Sequence, residues 1–124
     1  MKISILLPYK ENFSPEYPGA VSLFVYETSK KSIFKKNIIV YGSTKLKKKF
    51  PIKYRNISLL NIPLTSQTRN YVNKFANLQK KFNFSIVEVH NRPSYINQLI
   101  DKAPNSIFSL YFHNDPLSMD GSKT

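Results

Sequence analysis

Residues 84–113 read FSIVEVHNRPSYINQLIDKAPNSIFSLYFH, and this stretch decides the fold. Phe84–Val89 is a compact apolar run of strand length, followed by the polar triplet His90-Asn91-Arg92. Pro93–Ala103 then changes period. Proline suits a first helical turn, and Ile96, Leu99 and Ile100 fall on one helical stripe. Ser106–Phe112 returns to an apolar run, with Ile107–Phe112 expected as a core strand, and stops at His113-Asn114-Asp115. Strand, helix and strand joined by short polar links make a parallel crossover unit.

The same alternation extends to the N-terminus. Lys2–Pro8 is a short apolar strand closed by proline, and Tyr9–Pro18 is a loop punctuated by Asn12, Ser14, Pro15 and Pro18. Between Gly19 and about Phe34 the residues Val21, Phe24, Val25 and Thr28 lie at helical spacing. Lys30, Lys31, Lys35 and Lys36 gather at the far end, where cations suit the helix dipole. Asn37–Tyr41 is a second strand ended by Gly42-Ser43, and Lys45–Lys49 is an exposed turn or short helix. Ile57–Ile62 is a third strand closed by Pro63. Gln67–Phe82 is a helix carrying Tyr71, Phe75 and Leu78 on one face, with Thr65 or Ser66 as its cap. Mostly apolar strands alternating with helices predict an α/β fold: a Rossmann-like parallel sheet with helices on both faces.

Composition sets outer bounds. Nine Phe and eight Tyr supply enough apolar surface for a core in 124 residues, and the absence of cysteine excludes disulfides and thiolate chemistry. Nineteen Lys and Arg against seven Asp and Glu give a formal net charge of +12, which favours anionic partners. The excess is nearly all lysine in a chain also rich in Asn, Ile, Tyr and Phe, so background compositional bias and solvated faces are the favoured explanation, with a basic binding surface as the other. The first apolar run is too short for a signal peptide, and nothing approaches the roughly 20 apolar residues of a membrane span. A cytoplasmic protein is expected, with contact at the inner membrane face as its closest approach to lipid.

Ligands of open parallel sheets bind beyond the carboxyl ends of the strands. Three polar clusters fall there: the loop ending in Pro18-Gly19-Ala20, the triplet His90-Asn91-Arg92, and His113-Asn114-Asp115. Both histidines of the chain are among them. Each cluster also has a structural explanation. Gly19 can relieve crowding at a helix start, His90 can bond to Glu88, Arg92 can form a surface ion pair, and Asp115-Pro116 opens a turn. Other templates fail. No Gly-x-Gly-x-x-Gly follows the first strand, Gly121-Ser122-Lys123-Thr124 lacks the phosphate-loop spacing, and no serine-hydrolase elbow is present. Two histidines without partners at ligand spacing make a poor metal site.

The segments YPGAVSLFVYETSK (17–30), FSIVEVHNRPSYINQL (84–99) and SLYFHNDPLSMDGSKT (109–124) together resemble the N-terminal domain of family 4 glycosyltransferases. The nearest branch is the bacterial lipopolysaccharide and spore-coat type. The resemblance covers nearly the whole chain, and VHNRPSY and the stretch HNDP…M.G.KT (113–124) are its specific parts. It implies a retaining GT-B enzyme, in which two Rossmann-like domains face each other across a cleft. This chain would be a partial acceptor-side domain (1–124), and the donor-binding domain would lie outside it, leaving the segment alone inactive. By that analogy Gly19 and Ala20 lie near the donor diphosphate, and His113 lies near the transferred sugar as the catalytic candidate. His90, Asn91, Arg92, Asn114 and Asp115 line the substrate cleft.

The sequence departs from the family where Pro18 stands in place of one of two adjacent glycines. The resemblance further implies a nucleotide-sugar donor as substrate, no metal or other cofactor, and a glycan or lipid-linked acceptor. An anionic membrane surface is an expected contact, and nucleic acid is not an expected partner. The alternative from a different class is a non-catalytic Rossmann-like module binding a phosphorylated ligand or nucleic acid through its lysines. Against nucleic acid, the aromatics follow buried periodicity and do not interleave with the lysines.

Overall fold

The computed structural model describes residues 2–60, 63–82 and 85–113. In chain order these form β1 (Ile3–Leu6), α1 (Ala20–Lys31), a 3-10 turn (Lys35–Asn37), β2 (Ile38–Gly42) and β3 (Tyr54–Asn56). They continue with α2 (Gln67–Gln79), β4 (Ile86–His90), α3 (Pro93–Lys102) and β5 (Ile107–Tyr111). The five strands make one parallel sheet in the order β3-β2-β1-β4-β5. Ile3 sits beside Ile38 on one flank and Ile86 on the other, so β1 is central, and β4 continues to β5 with His90 beside Tyr111. After β1 the chain steps toward β2 and β3, and after β3 it crosses back to β4. The loops leaving β1 and β4 therefore diverge, and the crevice between them is the topological switch point of the sheet.

Helices cover both faces. On one face α1 lays Val21 and Val25 over Ile5, Leu7 and Val40, joined by Phe13, Phe50 and Ile52. On the other, α2 and α3 lay Tyr71, Phe75, Tyr95 and Leu99 over Leu6, Ile39, Tyr41, Val87 and Val89. Each fully buried Leu, Val or Phe contributes roughly 1.5–3 kcal/mol of transfer free energy, so this two-sided core dominates the stability. Ser66 caps α2, its hydroxyl accepting from the Arg69 N–H at 3.2 Å. At the opposite edge of the sheet from the crevice, buried Gln79 is held by Ser4 and Ser85, so an amide under the sheet is satisfied.

Three expectations shift. The third strand is Tyr54–Asn56 and not Ile57–Ile62: an edge strand needs little burial, so exposed Arg55 and Asn56 pair with β2. Ile57 leaves the sheet and is buried in the α2 core, its N–H donating to the Gly42 carbonyl at 2.7 Å. Residues 61 and 62 of that expected strand, and Phe84 of the fourth, lie outside the described residues. The buried stripe of α3 runs through Tyr95 and Leu99 while Ile100 is half exposed, because the Tyr95 hydroxyl reaches across to accept from the Tyr9 N–H at 3.0 Å. Strand β5 is an edge and not a core strand, with Ile107 66% exposed on the face toward α1. Lys45–Lys49 takes the first of its two expected forms, a mostly exposed bend rather than a short helix.

Candidate functional site at the carboxyl edge of the sheet

Strand periodicity places Glu88 and His90 on the same face of β4, the face that α1 covers. His90 is buried, 1% exposed, and its Nε2 lies 2.7 Å from Glu88 Oε1. The next residue, Asn91, takes a left-handed backbone conformation (φ 58°), which asparagine tolerates better than most residues. That turn lets Asn91 clamp the ends of two strands. Its N–H donates to the Tyr111 carbonyl at 2.8 Å, and its side-chain Oδ1 accepts from the His113 N–H at 3.2 Å. Arg92 folds its guanidinium back onto the Asn91 carbonyl at 2.7 Å and precedes α3, with Pro93 in the first turn.

The clamp brings the two histidines together. His90 Nδ1 and His113 Nε2 are 2.9 Å apart, although 23 residues separate them in sequence. Aromatic rings fix both planes. Tyr111 stacks on His90 at 5.2 Å and 19°, and Phe24 of α1 meets His113 edge-on at 4.9 Å and 86°. Burial holds the His113 pKa below the ordinary imidazole value of 6.5, and the neighbouring His90 pushes it the same way. The more distant carboxylates of Glu11 and Glu88 oppose this without reversing it. His113 is therefore a neutral imidazole at pH 7.

The loop between β1 and α1 forms the other wall. Phe13 pins it to the core by stacking on Tyr54 at 5.5 Å and meeting Phe50 edge-on at 5.1 Å. Two of its non-glycine residues, Lys10 and Tyr17, have positive φ. The loop delivers Glu11 to the start of α1, where Oε2 accepts from the Ser22 N–H at 3.0 Å. The helix has no acidic residue in its own first turn, so this carboxylate is the anion that complements its dipole. A Cβ on Gly19 would stand 1.7 Å from Glu11 Oε2. Gly19 has an ordinary negative φ, so space and not backbone conformation is what the glycine provides.

The structure thus gathers His90, Asn91 and His113 into one cluster. Gly19 and Ala20 begin the helix whose Phe24 packs on that cluster. His90 lines no surface and acts from behind His113. Arg92 is engaged with the backbone, and Asn114 and Asp115 lie outside the described residues. Sequence reasoning missed Glu11 and Tyr111 and treated Phe24 only as core. A lone carboxylate in a loop and aromatics within regular elements carry no local signal of a site. An open groove of about 480 Å³ runs between α2 and α3 past Arg69, Tyr95, Gln98 and Lys102, on the other face of the sheet. Its Gln98 amide is already held by the Arg69 carbonyl and by Asn73. Among the described residues no group of three or more His, Asp or Glu side chains is arranged to hold a metal ion, and no helix is long and apolar enough to cross a membrane. Comparison of the chain with protein-family models, with curated proteins and with solved structures gives no match.

Proposed function

We propose that this chain is the acceptor-side domain of a retaining, nucleotide-sugar-dependent glycosyltransferase that acts at the cytoplasmic face of a membrane. The observation that carries the reading is the partly exposed, neutral His113 held at the switch point of a parallel sheet, beside the start of a glycine-led helix. Sugar recognition needs fixed hydrogen-bonding groups next to flat apolar surface. His113 beside Phe24 and the half-exposed Tyr111 offers both. The departing diphosphate of a donor needs N–H groups and positive charge. In the described structure Glu11 holds the Ser22 N–H, so a diphosphate binding there displaces that carboxylate. A glycan or lipid-linked acceptor would approach along the same edge. The exposed segment Lys30–Lys36, with Ile33 and Phe34 bare among lysines, suits an anionic bilayer.

Amide chemical-shift mapping of the labelled chain tests the reading. Oligosaccharide acceptors are expected to shift Phe24, Asn91, Tyr111 and His113, and nucleotide sugars are expected to bind only weakly in the absence of a donor domain. Micromolar nucleotide-sugar affinity would contradict the assumed division of labour. Tight oligonucleotide binding through the lysines, with no response to any glycan, would favour the non-catalytic binding module.

A further inference from the structure

We propose that Glu88, His90 and His113 form a hydrogen-bonded relay that fixes neutral His113 with its proton on Nε2 and a bare lone pair on Nδ1, so that the group it engages is a hydroxyl donor and not an anion. The relay follows from two contacts and the chemistry of the partners. A carboxylate only accepts, so His90 Nε2, 2.7 Å from Glu88 Oε1, carries the proton. While His90 is neutral it has one N–H, so its Nδ1 is an acceptor. The nitrogen facing it at 2.9 Å, His113 Nε2, must then donate. Neutral His113 is left with Nδ1 unprotonated, and no described residue engages that atom. The opposite tautomer of His113 would set two lone pairs against each other at 2.9 Å. His90 is too deeply buried for water to separate them.

Among the described residues, the groups around His113 come from three elements and one loop. Glu88 and His90 face it from β4 and Glu11 from the β1–α1 loop, while Phe24 of α1 and Tyr111 of β5 supply apolar rings. Asn91 holds its backbone. His90 and Glu88 are in this sense positioning residues, and Glu88 acts on the ligand two hydrogen bonds away. A bare lone pair accepts from an alcohol and repels phosphate oxygens. The ligand class, a sugar or other polyol, rests on the glycosyl-transfer reading; the tautomer does not.

Long-range proton–nitrogen spectra of the uniformly labelled chain test both parts. Only two histidines are present, so His90→Gln and His113→Gln assign the signals. At about pH 8, above the usual imidazole range, both rings are expected to show a protonated Nε2 and a bare Nδ1. In Glu88→Gln the amide donates as well as accepts, and both rings are expected to become tautomer mixtures. An Nδ1–H tautomer of His113 in the unmodified chain would overturn the relay, whether or not the variant folds; so would unchanged tautomers in a folded Glu88→Gln. Methyl glycosides and inorganic phosphate are then the two ligand probes. Glycosides are expected to move the His113 Nδ1 resonance and to bind at least about tenfold tighter than phosphate, the scale of one hydrogen bond. A response to phosphate alone would overturn the ligand class. The expected tautomer with no response to either probe would overturn the glycosyl-transfer reading and leave the relay standing.

Discussion

The carboxylate of Glu11 occupies the space where a side chain on Gly19 would begin, with Oε2 1.7 Å from the position of a Cβ there. Eight positions separate the two residues, and the loop between them is folded so that the glutamate caps the helix the glycine introduces. Gly19→Ala is expected to expel the carboxylate and cost about 1 kcal/mol, the usual worth of a helix cap and its charge–dipole term. Glu11→Gln is expected to cost a similar amount. Because both act on one contact, the double variant should be little worse than either single variant in urea unfolding. Fully additive losses would show that the two residues act independently.

Tyr71 ties α2 to the end of β1. Its hydroxyl donates to the Leu7 carbonyl at 2.7 Å in a fully buried setting, and burial raises its pKa well above the usual tyrosine value. Tyr71→Phe keeps the ring and strands the carbonyl, so a loss of about 1–3 kcal/mol is expected in chemical denaturation. An unchanged midpoint would mean that the Leu7 carbonyl finds another donor.

His113→Ala tests the site. In a protein that joins this chain to the proposed donor domain, kcat is expected to fall by about 10²-fold, the scale of losing one positioned polar group, with a loss of Tm no larger than unpairing the buried His90 Nδ1 brings. A lowered Tm with near-normal kcat would assign His113 a structural role. The pH dependence has a definite sign. The folded-state pKa lies below the unfolded value of 6.5. The folded chain therefore binds fewer protons between the two values, and stability falls as pH drops from about 6.5 through the folded pKa. Denaturation series at neutral and mildly acid pH should show this loss shrinking in His113→Gln.

The segment Lys30–Lys36 is the candidate membrane contact. Ile33 is 91% exposed and Phe34 43%, and Lys31, Lys35 and Lys36 flank them on the surface. Lys30 is held by Glu27 at 3.0 Å. Replacing Ile33 and Phe34 together by serine is expected to weaken partitioning onto phosphatidylglycerol vesicles by about tenfold or more, the equivalent of burying one large apolar side chain. Equal binding to uncharged vesicles, or no effect of the substitution, would remove this surface from consideration.

Much of this architecture was legible because period and burial coincide. The runs at Ile3, Ile38 and Ile86 are mostly apolar because helices cover both faces of the sheet, and the helices between them repeat at the helical period. Tyr54–Asn56 was not legible as a strand, since an edge strand needs backbone pairing and not burial. Tyr95 was passed over in favour of Ile100 because a hydrogen bond to Tyr9, 86 residues away, orients the helix more strongly than one apolar residue does.

For the site, the amino-acid sequence determined where polar chemistry would gather. An apolar strand must end in something that faces water, and His90 and His113 mark such ends. What those residues do to one another was decided only in three dimensions. The contact between the histidines exists because β4 and β5 pair with His90 beside Tyr111, and because Asn91 bridges the two strand ends. Glu11 at the start of α1 likewise depends on the path of a loop anchored by Phe13. Periodicity is a property of neighbours along the chain. Hydrogen-bond partnership and the tautomer that follows from it depend on distances across the sheet, which only the packed strands set.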